Sequence, residues 1–495
     1  MLSVQILALG AVLLLFIRFL FISLRLAKIP GPLLAHFTDF WRYRGQNSPK
    51  WSAKLVALHQ KHGKLVRIGP NHISVSDPNA VPIVYGTNPV WLKGPSYYGA
   101  ATASQGRTVP SIIAMNEAQH SAVRKCTGRA FTTNSLLDYE SSIDKSASEL
   151  VEMLEKQQDL VDMSVWLQLY AIDVLMRIAF SESLGFVQTG DDVEGILEAI
   201  IARFDHWNAW AAAPWADYLF NKGPLAQCIR KKSDSPLARV GLAKLTARKA
   251  LTDQKKDLLA KFLDGQAKDP DAISQDDMLG IIMSTIGAGA DTTGGTLTYT
   301  LWYLCKHPVA AQKLNAELQD ALNTGNMKSP PTWAQVNHLP FLDAVLKESM
   351  RCLPIAAWGL DRIVPQGGAV IAGQYIPAGT VVGCQIDSIH LDPEVYGKEP
   401  AAFWPERWLE ASEDQRRRMD RAFLAFSAGK RTCTGRHIAW LELKKSLALL
   451  LINFEMELAY TDQDVVGSAR ISAVKYAPSI WMRLRKREPR DTQTA

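Results

Sequence analysis

The stretch Phe426–Gly435, "FSAGKRTCTG", sets a cysteine between two cations and a glycine, behind an aromatic residue. An apolar run with helical periodicity follows from about His437 to Phe454, which predicts a helix starting near Gly435. A helix N-terminus carries partial positive charge and free N–H donors, and Lys430 and Arg431 add charge of the same sign. Together these are expected to lower the pKa of the Cys433 thiol and favour the thiolate, the form that ligates metals. Gly429 permits a tight turn, and Gly435 lets a bulky group come close. The plain alternative is a buried structural cysteine. A zinc site on Cys433 and His437, one turn apart, lacks a second ligand pair at a usual spacing. Haem iron, by contrast, needs only one protein atom on its proximal side.

The chain around this stretch has 495 residues, 47% hydrophobic and 21% charged, with a net charge of +6 from 55 Lys+Arg against 49 Asp+Glu. That charge is too mild and too dispersed for a nucleic-acid binder. The six cysteines, Cys126, Cys228, Cys305, Cys352, Cys384 and Cys433, are scattered without a C-x-x-C pair, so no disulfide framework is indicated. No N-x-[ST] sequon occurs, which fits a cytosol-facing domain. The N-terminus is apolar from Val4 to Phe21, broken by Gln5, Gly10 and Arg18, and Arg25 and Lys28 follow it. Roughly 20 apolar residues span a bilayer. A cleaved secretory signal would place its cations before the run and a small-residue cleavage site after it. Residues 1–27 are therefore expected to be a single membrane anchor, with the body, residues 28–495, in the cytosol. The prolines of "KIPGPLL" are expected to make a stiff hinge between the two.

The rest is expected to be one mostly α globule with a small β region. "KLVRIGPNHISVS" (Lys64–Ser76) reads as two strands around a Gly-Pro-Asn turn. "DPNAVPIVYG" reads as a short helix capped by Asp77. A further strand pair is expected in Gly368–Gln385, split by Pro377 and Gly379. Asp276–Cys305 is apolar nearly all round, the mark of a membrane span or a central buried helix. Asp291, Thr292 and Thr293 make a span expensive, so a central helix is expected. Its "GAGADT" is no dinucleotide loop, because Thr292 stands where the third glycine belongs. The small residues there are expected to let a flat ligand or small gas molecule lie against the backbone.

Phe426, Gly429, Arg431, Cys433 and Gly435 together make F-x-x-G-x-R-x-C-x-G, which resembles the haem-binding signature of the cytochrome P450 family. Three more stretches resemble that family's motifs in the expected order: "AGADTT" (Ala288–Thr293), "KESMR" with Glu348 and Arg351, and "FWPERW" (Phe403–Trp408) with Arg407. The resemblance covers nearly everything after the anchor and implies the cytochrome P450 fold with haem b. Cys433 would be the axial ligand, its thiolate favouring O–O cleavage. Thr292 would order the distal proton network and Asp291 would feed it. Phe426 and Gly435 would pack under the porphyrin. Arg431, Arg124, His120 and Arg362 would anchor the propionates, His120 standing where a tryptophan is more usual. Glu348, Arg351 and Arg407 would form a buried triad, tolerable only when every charge is paired. "HGKLVRIGPNHISVSDPNAVPIVYG" (His62–Gly86) resembles the pisatin-demethylase-like branch of fungal members, many of which tailor secondary metabolites.

The activity so implied is that of an endoplasmic-reticulum monooxygenase that inserts one atom of O2 into an apolar small molecule. Electrons would come from an NADPH-cytochrome P450 reductase docked near Lys430, Arg436, Lys125 and Arg129. A haem-thiolate isomerase or dehydratase has no use for the Asp291–Thr292 pair, and a haem sensor or electron carrier has none for apolar segments that could enclose a substrate. The family's positions place the substrate against Tyr97–Ile113, Phe204–Trp215, Ala288, Pro354–Trp358 and Ser472–Lys475.

Overall fold

The computed structural model describes residues 24–488 apart from 105, 106, 110, 158, 159, 230–234, 251–254 and 357, together with Gln5, Gly10 and Ile17. In chain order, the elements that shape the site are helix α1 (Phe40–Gln46), strands β1 (Leu65–Gly69), β2 (His72–Val75) and β3 (Leu92–Lys93), helix α2 (Glu117–Thr127), strand β4 (Val161–Asp162), helices α3 (Met163–Phe180), α4 (Ile196–Trp210), α5 (Gln275–Lys306) and α6 (Pro340–Cys352), strands β5 (Arg362–Ile363) and β6 (Val381–Cys384), helix α7 (Arg436–Asn453), and strands β7 (Phe454–Leu458) and β8 (Trp481–Lys486).

Helices dominate and pack around α5, whose 32 residues run ~48 Å at 1.5 Å per residue. Ser274 starts it with a capping box to Asp277, so two orphan donors are satisfied before the apolar run begins. Its largest partner is α3. The two backbones approach so closely at Gly294 that an added Cβ would stand 2.8 Å from the Leu167 carbonyl oxygen. Gly289 fits against Leu175 and Gly295 against Ile355 in the same way. Most of the small residues in mid-helix thus serve helix packing, contrary to the expectation that they admit a ligand. Gly287 and Ala288 are the ones that line a cavity.

The main sheet has the order β1-β2-β6-β5-β3. Its one parallel pairing, β2 with β6, sets Val381 opposite His72 and Cys384 opposite Val75. The antiparallel pair β3–β5 sets Lys93 directly opposite Arg362. A second sheet, β7-β8-β4, ties the chain's end to its middle. The strand pair expected in Gly368–Gln385 divides differently. Ala369–Ile371 and Gln374–Ile376 form a hairpin turning at Ala372 and Gly373, both at positive φ. Such a turn matches strand twist. The segment after Pro377 then leaves for the main sheet as β6.

The expected anchor lies almost wholly outside the described residues. Its end is already part of the globule: Arg25 donates to the Ala378 carbonyl at 3.0 Å and to the Thr380 hydroxyl at 3.1 Å, and Leu26 is buried. The "KIPGP" hinge is docked as well. Arg67 N–H donates to the Pro30 carbonyl at 2.7 Å, and a Cβ on Gly31 would collide with Arg67. Among the described residues one helix, α3, is long and apolar enough to cross a membrane, and it is mostly buried against its neighbours.

Candidate active site

The loop ahead of α7 is held from several sides. Ser427 and Gly429 both have positive φ, 59° and 66°. Cys433 N–H donates to the Phe426 carbonyl at 2.8 Å, closing the loop on itself. A Cβ on Gly429 would lie 1.6 Å from the Tyr85 carbonyl oxygen, so the residue must be glycine for close approach as well as for its dihedral. Arg124, on α2, donates to the Thr432 carbonyl at 3.2 Å. The Phe426 ring rests 5.9 Å from that of Trp440. Cys433 itself is open, and beside Gly435 the nearest atom to an added Cβ is Cys433 Sγ at 4.0 Å. There is room over this loop for something flat.

The expected fall in the thiol's pKa does not occur. Desolvation by the surrounding walls pushes the Cys433 thiol up, against the backbone N–H groups of Gly435 and Arg436 and the charges of Arg436 and Arg124. The helix terminus and cations act in the foreseen direction, and desolvation by the atoms packed around the pocket outweighs them although the sulfur faces its open side. A bound metal cation reverses that balance and deprotonates a coordinating thiol outright.

Beside the cysteine the fold collects basic side chains. Lys93, His120, Arg124, Arg362 and Arg431 come from β3, α2, β5 and the cysteine loop. Like charges opposed across a sheet, as Lys93 and Arg362 are, destabilise it. Burial and the charges of Arg431 and Arg362 push Lys93 down to about 7. Burial, Lys93 and Arg124 push His120 down to about 4. The Arg431 guanidinium pairs with the Glu117 carboxylate, and among the described residues His120 Nδ1 is buried without a partner. Arg362 is better held, donating to the Tyr97 hydroxyl at 2.6 Å and the Asp361 carbonyl at 2.9 Å. Buried N–H donors without acceptors are rare in a folded protein. The cluster fits the carboxylates of a haem, and the open thiol and the space over Gly435 fit its plane.

The motifs on α5 face two ways. Asp291 is buried, accepting from Gln168 Nε2 at 2.5 Å and from the Tyr476 hydroxyl at 2.7 Å. Burial raises its carboxyl to about 6, against those two bonds and the charge of Arg470. Thr292 donates its hydroxyl to the Ala288 carbonyl at 2.7 Å on the helix's open face. Their side chains do not meet; successive residues point about 100° apart around a helix of 3.6 residues per turn. A cavity lies between this open face, at Ser284, Gly287 and Ala288, and α4, at Ile200, Phe204 and Trp207. Tyr97, Trp207, Trp358 and Ala473 pack in one cluster beside it, which joins four of the five segments expected to meet substrate.

Glu348 lies at the centre of a buried network. Arg351 donates to it at 2.8 and 2.7 Å, Arg407 at 2.8 Å, and Trp408 Nε1 at 2.9 Å. The two arginines spend their remaining donors on the carbonyls of His390, Pro400 and Ala402, among others.

A family model described as Cytochrome P450 matches residues 30–470. The chain belongs to the cytochrome P450 family. A cytochrome P450 monooxygenase of Aspergillus terreus is 36% identical over 447 residues, 88% of this chain and 91% of the relative. The cytochrome P450 monooxygenase cicH of Emericella nidulans is 30% identical over 465 residues, 90% and 92% of the two chains. The relative asR2 of Sarocladium schorii is 31% identical over 456 residues, 88% of each. This cytochrome P450 is a haem-thiolate monooxygenase, and its fold is the family's mostly helical one with small sheets.

Sequence reasoning missed Lys93, Gln168, Tyr476, Trp408 and His390. Trp408 stands inside the quoted "FWPERW". Lys93, Gln168 and Tyr476 lie in unremarkable stretches and meet the site only through pairings between distant segments.

Proposed function

We propose that this cytochrome P450 holds haem b through the Cys433 thiolate and oxidises an apolar small molecule in fungal secondary metabolism, by hydroxylation, epoxidation or oxidative demethylation. The observation that carries this reading is an open thiol beside a cluster of basic side chains drawn from four separate segments of the chain. Bound haem supplies dioxygen activation, with one oxygen atom entering the substrate and the other leaving as water. The chain supplies the rest. Arg431, Arg124, His120, Lys93 and Arg362 bind the propionates, and Phe426 and Gly435 border the sulfur. Thr292 holds a hydroxyl at the open face of α5, and Asp291 stores a proton one residue away. Glu348, Arg351 and Arg407 hold the proximal segments in place. The resemblance of His62–Gly86 to the pisatin-demethylase-like branch supports the assignment to metabolite tailoring.

The protein lies on the endoplasmic reticulum membrane, single-pass through the apolar run Val4–Phe21, with its body in the cytosol. Exposed apolar residues support this: Leu33, Leu34, Phe37 and Phe40 near the N-terminus, and Trp215, Tyr218, Leu219 and Phe220 after α4. Two hydrogen bonds hold these surfaces close together, from Asn208 to the Gln46 carbonyl at 3.0 Å and from Arg42 to the Ala212 carbonyl at 3.2 Å. An NADPH-cytochrome P450 reductase docks on the proximal face at Lys430, Arg129 and Arg436. Lys125 contributes less, because Asp269 pairs with it at 3.2 Å.

Reduced, CO-treated microsomes carrying the protein are expected to show the red-shifted Soret band of thiolate coordination, and Cys433→Ser to abolish it. A folded wild-type protein without that band overturns the assignment. Product formed without O2 would move the activity to an isomerase or dehydratase.

A further inference from the structure

The cavity between α4 and α5 contains a charge that no acid among the described residues answers. Arg203, on α4, lines it and reaches over α5, where an added Cβ on Gly287 would stand 3.9 Å from Nη1. A guanidinium has five N–H donors. The hydrogen bonds of this one go to two backbone carbonyls, Met283 at 3.3 Å and Ala100 at 3.5 Å, both beyond the usual range. Among the described residues no carboxylate pairs with it. The nearby acids are taken: Asp205 pairs with Arg470 at 2.7 Å, and Asp217 with Lys222 at 2.5 Å and His206 at 2.9 Å. The segment between the lining residues Ala100 and Ser111, "ATASQGRTVP", carries no acid in its sequence. Burial alone moves the arginine's pKa, down to about 10, so the charge persists at neutral pH.

Lys222 makes the contrast plain. It is a buried cation near this cavity, bonded to the carbonyls of Tyr98 and Gly99, but its carboxylate comes from the chain itself. A buried charge is costly unless paired. The rest of the lining is apolar apart from the hydroxyls of Ser111 and Ser284, which lie 3.2 Å apart. An arginine fork matches a carboxylate with two parallel hydrogen bonds.

We propose that Arg203 is the subsite for a carboxylate on the substrate, and that this enzyme acts on an apolar carboxylic acid whose body rests on Phe204, Trp207 and Ile113. The proposal rests on reading this cavity as the substrate site.

The test is equilibrium dialysis of the full-length holoenzyme against dodecanoic acid and 1-naphthylacetic acid, each beside its methyl ester. A charge-assisted pair predicts that at least one acid binds ~10-fold tighter than its ester, and that Arg203→Met narrows the ratio to below ~3-fold, with Arg203→Lys between. Equal binding of acid and ester by the wild type in both pairs overturns the proposal, as does a preference that survives in Arg203→Met. The wild-type ratio decides even if the variants do not fold. Dialysis does not read the haem, so an acid preference without the thiolate band would sustain the subsite while the haem assignment fell. The band without an acid preference would do the reverse.

Discussion

His390 donates from Nδ1 to the carbonyl of Arg351 at 3.0 Å. Its Nε2 accepts the N–H of Leu424 at 2.9 Å, two residues before the cysteine loop begins. A carbonyl only accepts and an N–H only donates, so the partners settle the tautomer. The imidazole therefore couples the buried arginine network to the segment that carries Cys433. Burial and the Arg351 charge push its pKa from 6.5 down to about 3. With the folded value depressed, its stabilisation is full above pH 6.5 and is lost as pH falls toward 3. His390→Phe leaves a buried donor and acceptor unpaired, at ~1–3 kcal/mol each. It is expected to unfold at lower temperature and to flatten the acid branch of the stability profile, both measured by thermal melts from pH 7 to 4. An unchanged branch would remove His390 from this role.

Glu348 answers two buried guanidinium groups at once. Burial pushes its carboxyl up, but Arg351, Arg407 and the Trp404 N–H hold it below the usual range. Removing the acid strands two charges, so Glu348→Ala is expected to cost ~3–5 kcal/mol. Chemical denaturation with and without the substitution measures this, and a loss below ~1 kcal/mol would make the network a minor one.

Asp291 sits poised near its titration point, with a pKa of about 6. As pH falls through 6 its proton occupancy rises, and coupling of NADPH use to product is expected to change with an inflection there. Tyr476→Phe removes a bond that favours the carboxylate, so the inflection should move upward. Asp291→Asn should abolish it. The folded pKa is raised, so the stability this group contributes is full below the ordinary value of 3.8 and lost as pH rises through 6. A pH profile identical in wild type and Asp291→Asn would end the proton-store role.

Arg431 stands in the cysteine loop with Glu117 as its partner carboxylate. Replacing it with Met is expected to lower the ratio of Soret to protein absorbance and to speed haem loss to an apo-globin acceptor. The same change at Lys93 should have a smaller effect, since Lys93 already reaches the Met115 carbonyl at 2.8 Å. Retention equal to wild type in both would break the link between this cluster and the propionates.

Gly429→Ala places a methyl group against the Tyr85 carbonyl and forces a non-glycine residue to φ 66°. The dihedral alone costs roughly 1–2 kcal/mol, and the collision adds to it. The expected result is a displaced cysteine loop, read as a weakened thiolate band in otherwise folded protein.

Much of the local pattern was legible in the chain. The spacing around Cys433, the apolar period of α5, the strand pair at Lys64–Ser76 and the glutamate and arginines of the buried network are short-range patterns, and backbone geometry acts at short range. Local charge did not predict the thiol's state, because desolvation depends on everything packed around it. Nor did spacing reveal that Lys93 would face Arg362 across two strands 269 positions apart by their numbers, that Asp291 would turn from Thr292 toward Tyr476, or that Arg203 would meet no acid among the described residues. These are properties of pairings between distant segments. The packed interior alone decides which buried charges find partners and which are left for a ligand.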